Sequence, residues 1–292
     1  MTPTIKRGET LQFSQLPPKS IALDGFVQGP AMDLVNQKFS FDHHDGCIRM
    51  FTSATCRQVQ DALLLGLNPA GFEVFINDVD GDTVLSVWLL QHPERANLPA
   101  VHELVSVVAN MDAHGPAYPV ANASLASLFY DSVMAPERNA RRNKTYGTAD
   151  LNELLAECLR NLDRWFAGEL QPAVAEETRS YEITYQGNGW VMARSDSFIF
   201  DLLYKDGITA AVAWRPLPDG SFEYTIGRKS DLVLGFPVGP HSLPGTLLHA
   251  LAAAEPGWGG GSSIGGAPRN PDGSRSHLPP ERLRAILESA LR

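Results

Sequence analysis

The sequence predicts an α/β protein, with a mostly parallel sheet flanked by helices and then a second, smaller α+β domain. Three observations predict this. Short apolar segments alternate with amphipathic helical stretches over residues 1–170, the pattern of a parallel sheet covered on both faces. Beyond residue 171 the texture changes to short β-rich segments separated by turn signals such as Asp219-Gly220. Carboxylates and imidazoles stand where the first strands should end, and the carboxyl edge of an open α/β sheet is where ligands bind.

The elements follow in order. Ser20 to Val27 reads as a strand carrying Asp24 near its end, and Lys38 to Asp42 as a second, delivering Asp42-His43-His44-Asp45-Gly46. Thr55 to Leu65 has a helical stripe through Val59 and Leu63. Phe72 to Ile76 is an apolar strand running into Asp78, Asp80 and Asp82, and Thr83 to Leu90 is a helix apolar on nearly every side. A helix over Pro99 to Met111 should stop in Asp112-Ala113-His114-Gly115-Pro116, where Gly and Pro act as breakers. Ser124 to Gly168 is helical, clearest in Leu151, Leu154, Leu155, Cys158, Leu159, Leu162, Trp165 and Phe166 at 3,4 spacing up to Gly168. Gln171 to Thr178 reads as a linker. Past it, strands are expected over 180–186, 189–193, 208–214 and 222–227, then a helix over 243–254, a Gly-rich loop at Gly257 to Gly266 and a last helix from Pro279.

Composition bounds the function. A chain of 292 residues with 43% apolar content can fill proper cores. With 33 acidic against 24 basic residues, its net charge of −9 repels polyanions, so extended nucleic acid is not an expected partner. The dense basic run Arg138 to Lys144 is a solvated face or a phosphate-steering patch. Cys47, Cys56 and Cys158 form no CxxC pair and suit a reducing, cytoplasmic setting. No apolar run approaches the ~18 residues of a membrane span, so no membrane partner is expected.

The chemistry concentrates at the strand ends. Three carboxylates between two apolar elements need a cation, backbone donors or open water. A plain turn, or Asp82 capping the helix that follows, is the bland alternative. An EF-hand is excluded, because Gly81 stands one place before the third Asp and Leu89 holds the closing position. His43 and His44 are adjacent, so on a strand they should point to opposite faces. Either alone would be a structural histidine. With Asp42, Asp45, Asp78-x-Asp80-x-Asp82 and Asp112-x-His114 nearby, a divalent-metal centre fits better. Mixed imidazole and carboxylate ligands suit Mn²⁺, Fe²⁺ or Zn²⁺ above Mg²⁺, and there are acids enough for two ions.

The residues Asp42-His43-His44 and Asp78-Val79-Asp80-Gly81-Asp82-Thr83-Val84-Leu85-Ser86 resemble two signature motifs of the DHH phosphoesterase superfamily. Here the DHH stretch precedes the D-x-D-x-D stretch, a permuted order. The resemblance implies a pair of Mn²⁺ ions, with Mg²⁺ or another divalent metal as substitutes, that hydrolyse phosphate esters or anhydrides. It implies Asp24, His43, Asp78, Asp80, Asp82 and Asp112 as ligand candidates and His44 as the catalytic residue facing the scissile phosphate, and the residue pattern itself adds Asp42 and His114 as ligand candidates. The C-terminal part, residues 171–292, resembles the family's accessory substrate-binding domain. Gly259, Gly260, Gly261 and Ser262, with Arg269 and Arg275 following, would then clamp phosphate through backbone N–H groups and a guanidinium fork. Ser262 stands where the family commonly has histidine. The expected function is metal-dependent hydrolysis of a small phosphorylated or nucleotide-like substrate, with a non-catalytic nucleotide- or metal-binding module as the alternative. A homodimer is compatible with either.

Overall fold

The computed structural model describes residues 1–44, 46–48, 50–120, 122–170 and 177–292. The chain divides into two compact units, Met1–Ala175 and Glu176–Arg292. Most of the expected linker, residues 171–176, and also Asp45 lie outside the described residues.

The first unit is built on five strands, β1 (Thr4–Ile5), β2 (Ser20–Leu23), β3 (Ala31–Asp33), β4 (Lys38–Phe41) and β5 (Glu73–Ile76), in the order β1-β5-β2-β4-β3. The sheet is mixed, not mostly parallel as expected. β1, β5, β2 and β4 run parallel, whereas β3 pairs antiparallel with β4. The cause is local: the carboxylate of Asp33 accepts the N–H groups of Val35 and Asn36 at 3.0 Å each, closing a tight turn that returns the chain beside itself.

Strand alternation then divides the residues between two cores. Ile21, Leu23, Val74 and Ile76 face a helical core that includes Leu85, Trp88, Leu104, Phe129 and Leu155. Ala22 and Phe75 face the other side, closed by Leu16, Phe26 and Val27. At the centre of the helical layer is α2 (Gly81–Gln91), buried at every position from Asp82 to Leu90. It packs against α1 (Thr55–Leu64), α3 (Pro99–His114) and, beyond α4 (Ala123–Ser127), a π-helical turn (Leu128–Val133) and α5 (Ala135–Arg142), against α6 (Leu151–Phe166). Each fully buried Leu, Val or Phe here contributes about 1.5–3 kcal/mol. The indole N–H of Trp88 donates to Asp163 at 3.0 Å, which satisfies the one polar atom of this otherwise apolar face.

The second unit is a six-stranded sheet, in the order β10-β11-β9-β8-β7-β6. Its strands are β6 (Glu182–Gln186), β7 (Val191–Arg194), β8 (Ala210–Pro216), β9 (Phe222–Arg228), β10 (Gly259–Gly260) and β11 (Ile264–Gly266). All pairings are antiparallel except β7 with β8, which are joined through α7 (Phe200–Lys205). α8 (Leu247–Ala254) and α9 (Pro280–Ala290) supply Leu248, Leu251, Leu283 and Leu287 to a core with Trp190, Val212, Tyr224 and Ile226. Both sheets are thus mixed and flanked by helices. No described helix is long and apolar enough to cross a membrane.

Candidate metal centre

Because β5, β2 and β4 are neighbours and parallel, their carboxyl ends share one edge of the first sheet. β2 ends in Asp24, β4 in Asp42, His43 and His44, and β5 in the segment that carries Asp78, Asp80 and Asp82 into α2. Asp24 holds a left-handed backbone, φ 50°, a conformation uncommon outside glycine that a strained, functional turn tolerates.

His43 lies at the centre and is fully buried. Its Nε2 is 2.8 Å from Asp112 Oδ2, 3.5 Å from Asp82 Oδ2 and 3.6 Å from Asp24 Oδ1. Neither ring nitrogen makes a properly directed hydrogen bond among the described residues. A buried imidazole left so is costly, and one ringed by carboxylates has a donor set that could hold a divalent cation. Two groups of side chains have ligand atoms within 4.8 Å of one another, Asp24 with His43 and His44, and His43 with Asp82 and Asp112, so these residues could hold metal.

The remaining bonds fix this cluster. Thr55 and Thr83 donate their hydroxyls to the two oxygens of Asp24, each at 2.9 Å. Asp80, not Asp82, caps α2, accepting the N–H of Thr83 at 2.9 Å. Asp82 accepts the N–H groups of Thr55 and Cys56 at 2.7 Å each, so it caps α1 from across the fold. The Cys56 thiol also bonds this carboxylate, whose remaining lone pairs could serve a ligand. Crowding shifts the acids. Burial, with Asp80, Asp82 and Asp112 nearby, holds Asp24 well above the usual carboxylate range. Burial and Asp112 raise Asp80, and burial with Asp112 and Asp80 pushes Asp82 up to about 6. A bound cation would reverse the sign of this crowding.

The other expected residues divide. Asp42 is fully buried, and its oxygens take the N–H of Gly29 at 2.7 Å and His44 Nδ1 at 2.8 Å. Burial alone would raise it, but these bonds hold it below its ordinary value. It orients His44 and stands outside both ligand groups. His43 and His44 do not point to opposite faces of a strand as expected. β4 ends at Phe41, and beyond it the two rings meet edge to face, 4.6 Å between centroids. His44 is part-exposed and lines a cleft of ≈ 500 Å³ with Asp24, Asp42, Asp78, Asp80 and Tyr146. Asp78 turns to the rim, bonded to the Tyr146 hydroxyl and, at 3.2 Å, to Arg141. His114 lies outside both groups, stacked on Tyr118 at 5.2 Å. The helix expected to stop within Asp112-to-Pro116 does so at Gly115, φ 55°, but its helical turn includes both Asp112 and His114, and residues two apart on a helix face different ways.

In the second unit, part of the Gly-rich stretch is a hairpin and not an open loop. A Cβ on Gly260 would collide with the backbone of Gly265 and Ile264, so glycine here permits strand pairing. Gly261 N–H donates to Ile264 O at 2.9 Å, and Gly259 pairs with Gly266. Ser262 donates its hydroxyl to Asp231 at 3.1 Å, Arg275 pairs with Glu223, and Arg269 is exposed. Thr55, Thr83, Arg7 and Tyr146 were missed in the sequence, since no spacing ties them to the acids they hold or the cleft they line.

No protein-family model matches the chain, and no curated protein or solved structure matches it either.

Proposed function

We propose that the protein is a divalent-metal-dependent phosphohydrolase for a small phosphorylated or nucleotide-like substrate, akin to the DHH phosphoesterases that its Asp42-His43-His44 and Asp78-to-Ser86 motifs resemble. The observation that carries this is the fully buried His43 ringed by Asp24, Asp82 and Asp112 beside a cleft that His44 lines. Asp24, His43, Asp82 and Asp112, with Asp80 alongside, would hold one or two Mn²⁺ ions, and Mg²⁺ could substitute. When bound, the ions would supply an activated water at neutral pH and neutralise charge on the phosphoryl oxygens.

The chain's own residues do the rest. Thr55 and Thr83 lock the Asp24 carboxylate, as partners behind a ligand do. The ionised Asp42 accepts the Nδ1 proton of His44, which leaves Nε2 to carry the exchangeable one. That proton passes to the leaving oxygen as the phosphorus–oxygen bond breaks and water's oxygen joins phosphorus. Cys47, Cys56 and Cys158 form no disulfide among the described residues, which fits a reducing, cytoplasmic setting. The test is a panel of phosphomonoesters, diesters and anhydrides assayed with Mn²⁺, Mg²⁺ or chelator. Chelator-sensitive turnover of one class is expected, and inert behaviour toward the whole panel with Mn²⁺ would reject the proposal.

A further inference from the structure

We infer that Arg7 is a substrate-anchoring residue, which receives a phosphate oxygen at the rim of the cleft. Among the described residues it is the only Arg or Lys lining the cleft, against four aspartates, Asp24, Asp42, Asp78 and Asp80. Those aspartates would be expected to capture it, yet Arg7 makes no ion pair with a carboxylate among the described residues. Backbone holds it instead: Nη1 donates to Tyr146 O at 2.9 Å and Nη2 to Ala149 O at 2.5 Å. The guanidinium carbon sits 5.5 Å from the centre of the Tyr146 ring.

Neutral carbonyls fix the guanidinium without discharging it. Two of its five N–H groups are spent on them, and the other three are left for a ligand. A guanidinium is poorly hydrated and carries its donors in a rigid fork, so one immobilised beforehand loses little entropy on meeting an anion. Tyr146 is itself fixed. Its hydroxyl donates to Asp78 and accepts the N–H of Val79 at 3.1 Å, and the Arg141 guanidinium lies 3.9 Å from the centre of its ring. Arg7 therefore stands on a rigid support in the same cleft as His44, a cation held by neutral groups in an acid-floored cavity. The anion that fits its fork is a phosphoryl group. This rests on the phosphohydrolase reading only for the choice of phosphate as the anion.

The test titrates inorganic phosphate by calorimetry into Mg²⁺-loaded protein and its variants. Arg7→Gln should lower phosphate affinity about 10- to 100-fold, the cost of losing a charge-assisted bond, with bound metal unchanged. Arg160→Gln, an exposed arginine of α6 outside the cleft lining, should leave affinity as it was. Because Arg7 also ties down the 146–149 turn, a second measurement uses the wild-type chain: phosphate should slow phenylglyoxal modification of Arg7, read by mass spectrometry, and not that of Arg160. Wild-type affinity in Arg7→Gln, an equal loss in Arg160→Gln, or no protection of Arg7 would overturn the inference. If no phosphate ester turns over yet Arg7 still governs phosphate binding, the catalytic reading alone fails. If turnover occurs while Arg7 is neither protected nor needed, this inference alone fails.

Discussion

Asp112→Asn should make the metal-free protein more stable and abolish its response to metal. The ligand atoms of Asp82 and Asp112 lie within 4.8 Å, and the charge of Asp112 also bears on Asp24 and Asp80. At that separation and an effective dielectric of about 20, one like-charge pair costs ~3 kcal/mol. The side chain of Asp112 is 27% exposed, which brings the gain from removing its charge to about 1–2 kcal/mol. For a unit of this size each kcal/mol moves the melting point about 2–4 °C, so metal-free Asp112→Asn should melt roughly 2–8 °C above wild type. Metal at a hundred times its Kd stabilises a folded protein by about 2.7 kcal/mol, so Mn²⁺ should lift wild type past the variant. Differential scanning fluorimetry with chelator and then with Mn²⁺ reads both effects. If the variant melts lower without metal, Asp112 is the ion-pair partner of a protonated His43 and the crowding argument is wrong. If the Mn²⁺-induced shift survives, Asp112 is no ligand.

Three further outcomes follow from the same geometry. His43→Ala should lose metal and activity together, whereas His44→Ala should keep its metal by elemental analysis and lose about 10²- to 10⁴-fold in rate; a metal-free His44→Ala protein would place that ring among the ligands. In the folded chain Asp82 keeps its proton up to about pH 6, while an unfolded carboxyl releases it near ~3.9, so metal-free stability is full below the lower value and declines as pH rises through the upper one. Melting of chelated protein should therefore be lower at about pH 7.5 than at about pH 5.5, with Mn²⁺ narrowing the gap; equal melting points in chelator would contradict the buried-acid account. Gly260→Val should lower the stability of the second unit, because a side chain there meets the backbone of Gly265 and Ile264, and unchanged thermal unfolding would show that the hairpin is looser than it stands here.

Local chemistry determined a good deal by itself. The apolar run into Asp78-Val79-Asp80-Gly81-Asp82 marks a strand end and a helix start, because strand and helix periods and Asp capping act within a few residues. The same is true of the acids and imidazoles after β2 and β4. Tertiary structure alone decided which of them meet. Only the order β5-β2-β4 brings Asp24, His43 and Asp82 together, and strand order is settled by pairing between residues distant in sequence. Asp82 caps α1 and not its own helix, a choice made by how α1 and α2 pack. His114 turns away from Asp112 because α3 carries both residues on its last turn before Gly115 ends it, and the glycines at 259 and 260 pair as strands because β9 offers β11 an open edge. Arg7 reaches the cleft through carbonyls far along the chain, at |i−j| of 139 and 142. Spacing records what neighbouring residues do to one another, whereas burial, which makes His43 a candidate ligand and leaves His44 in the cleft, is a property of the assembled fold.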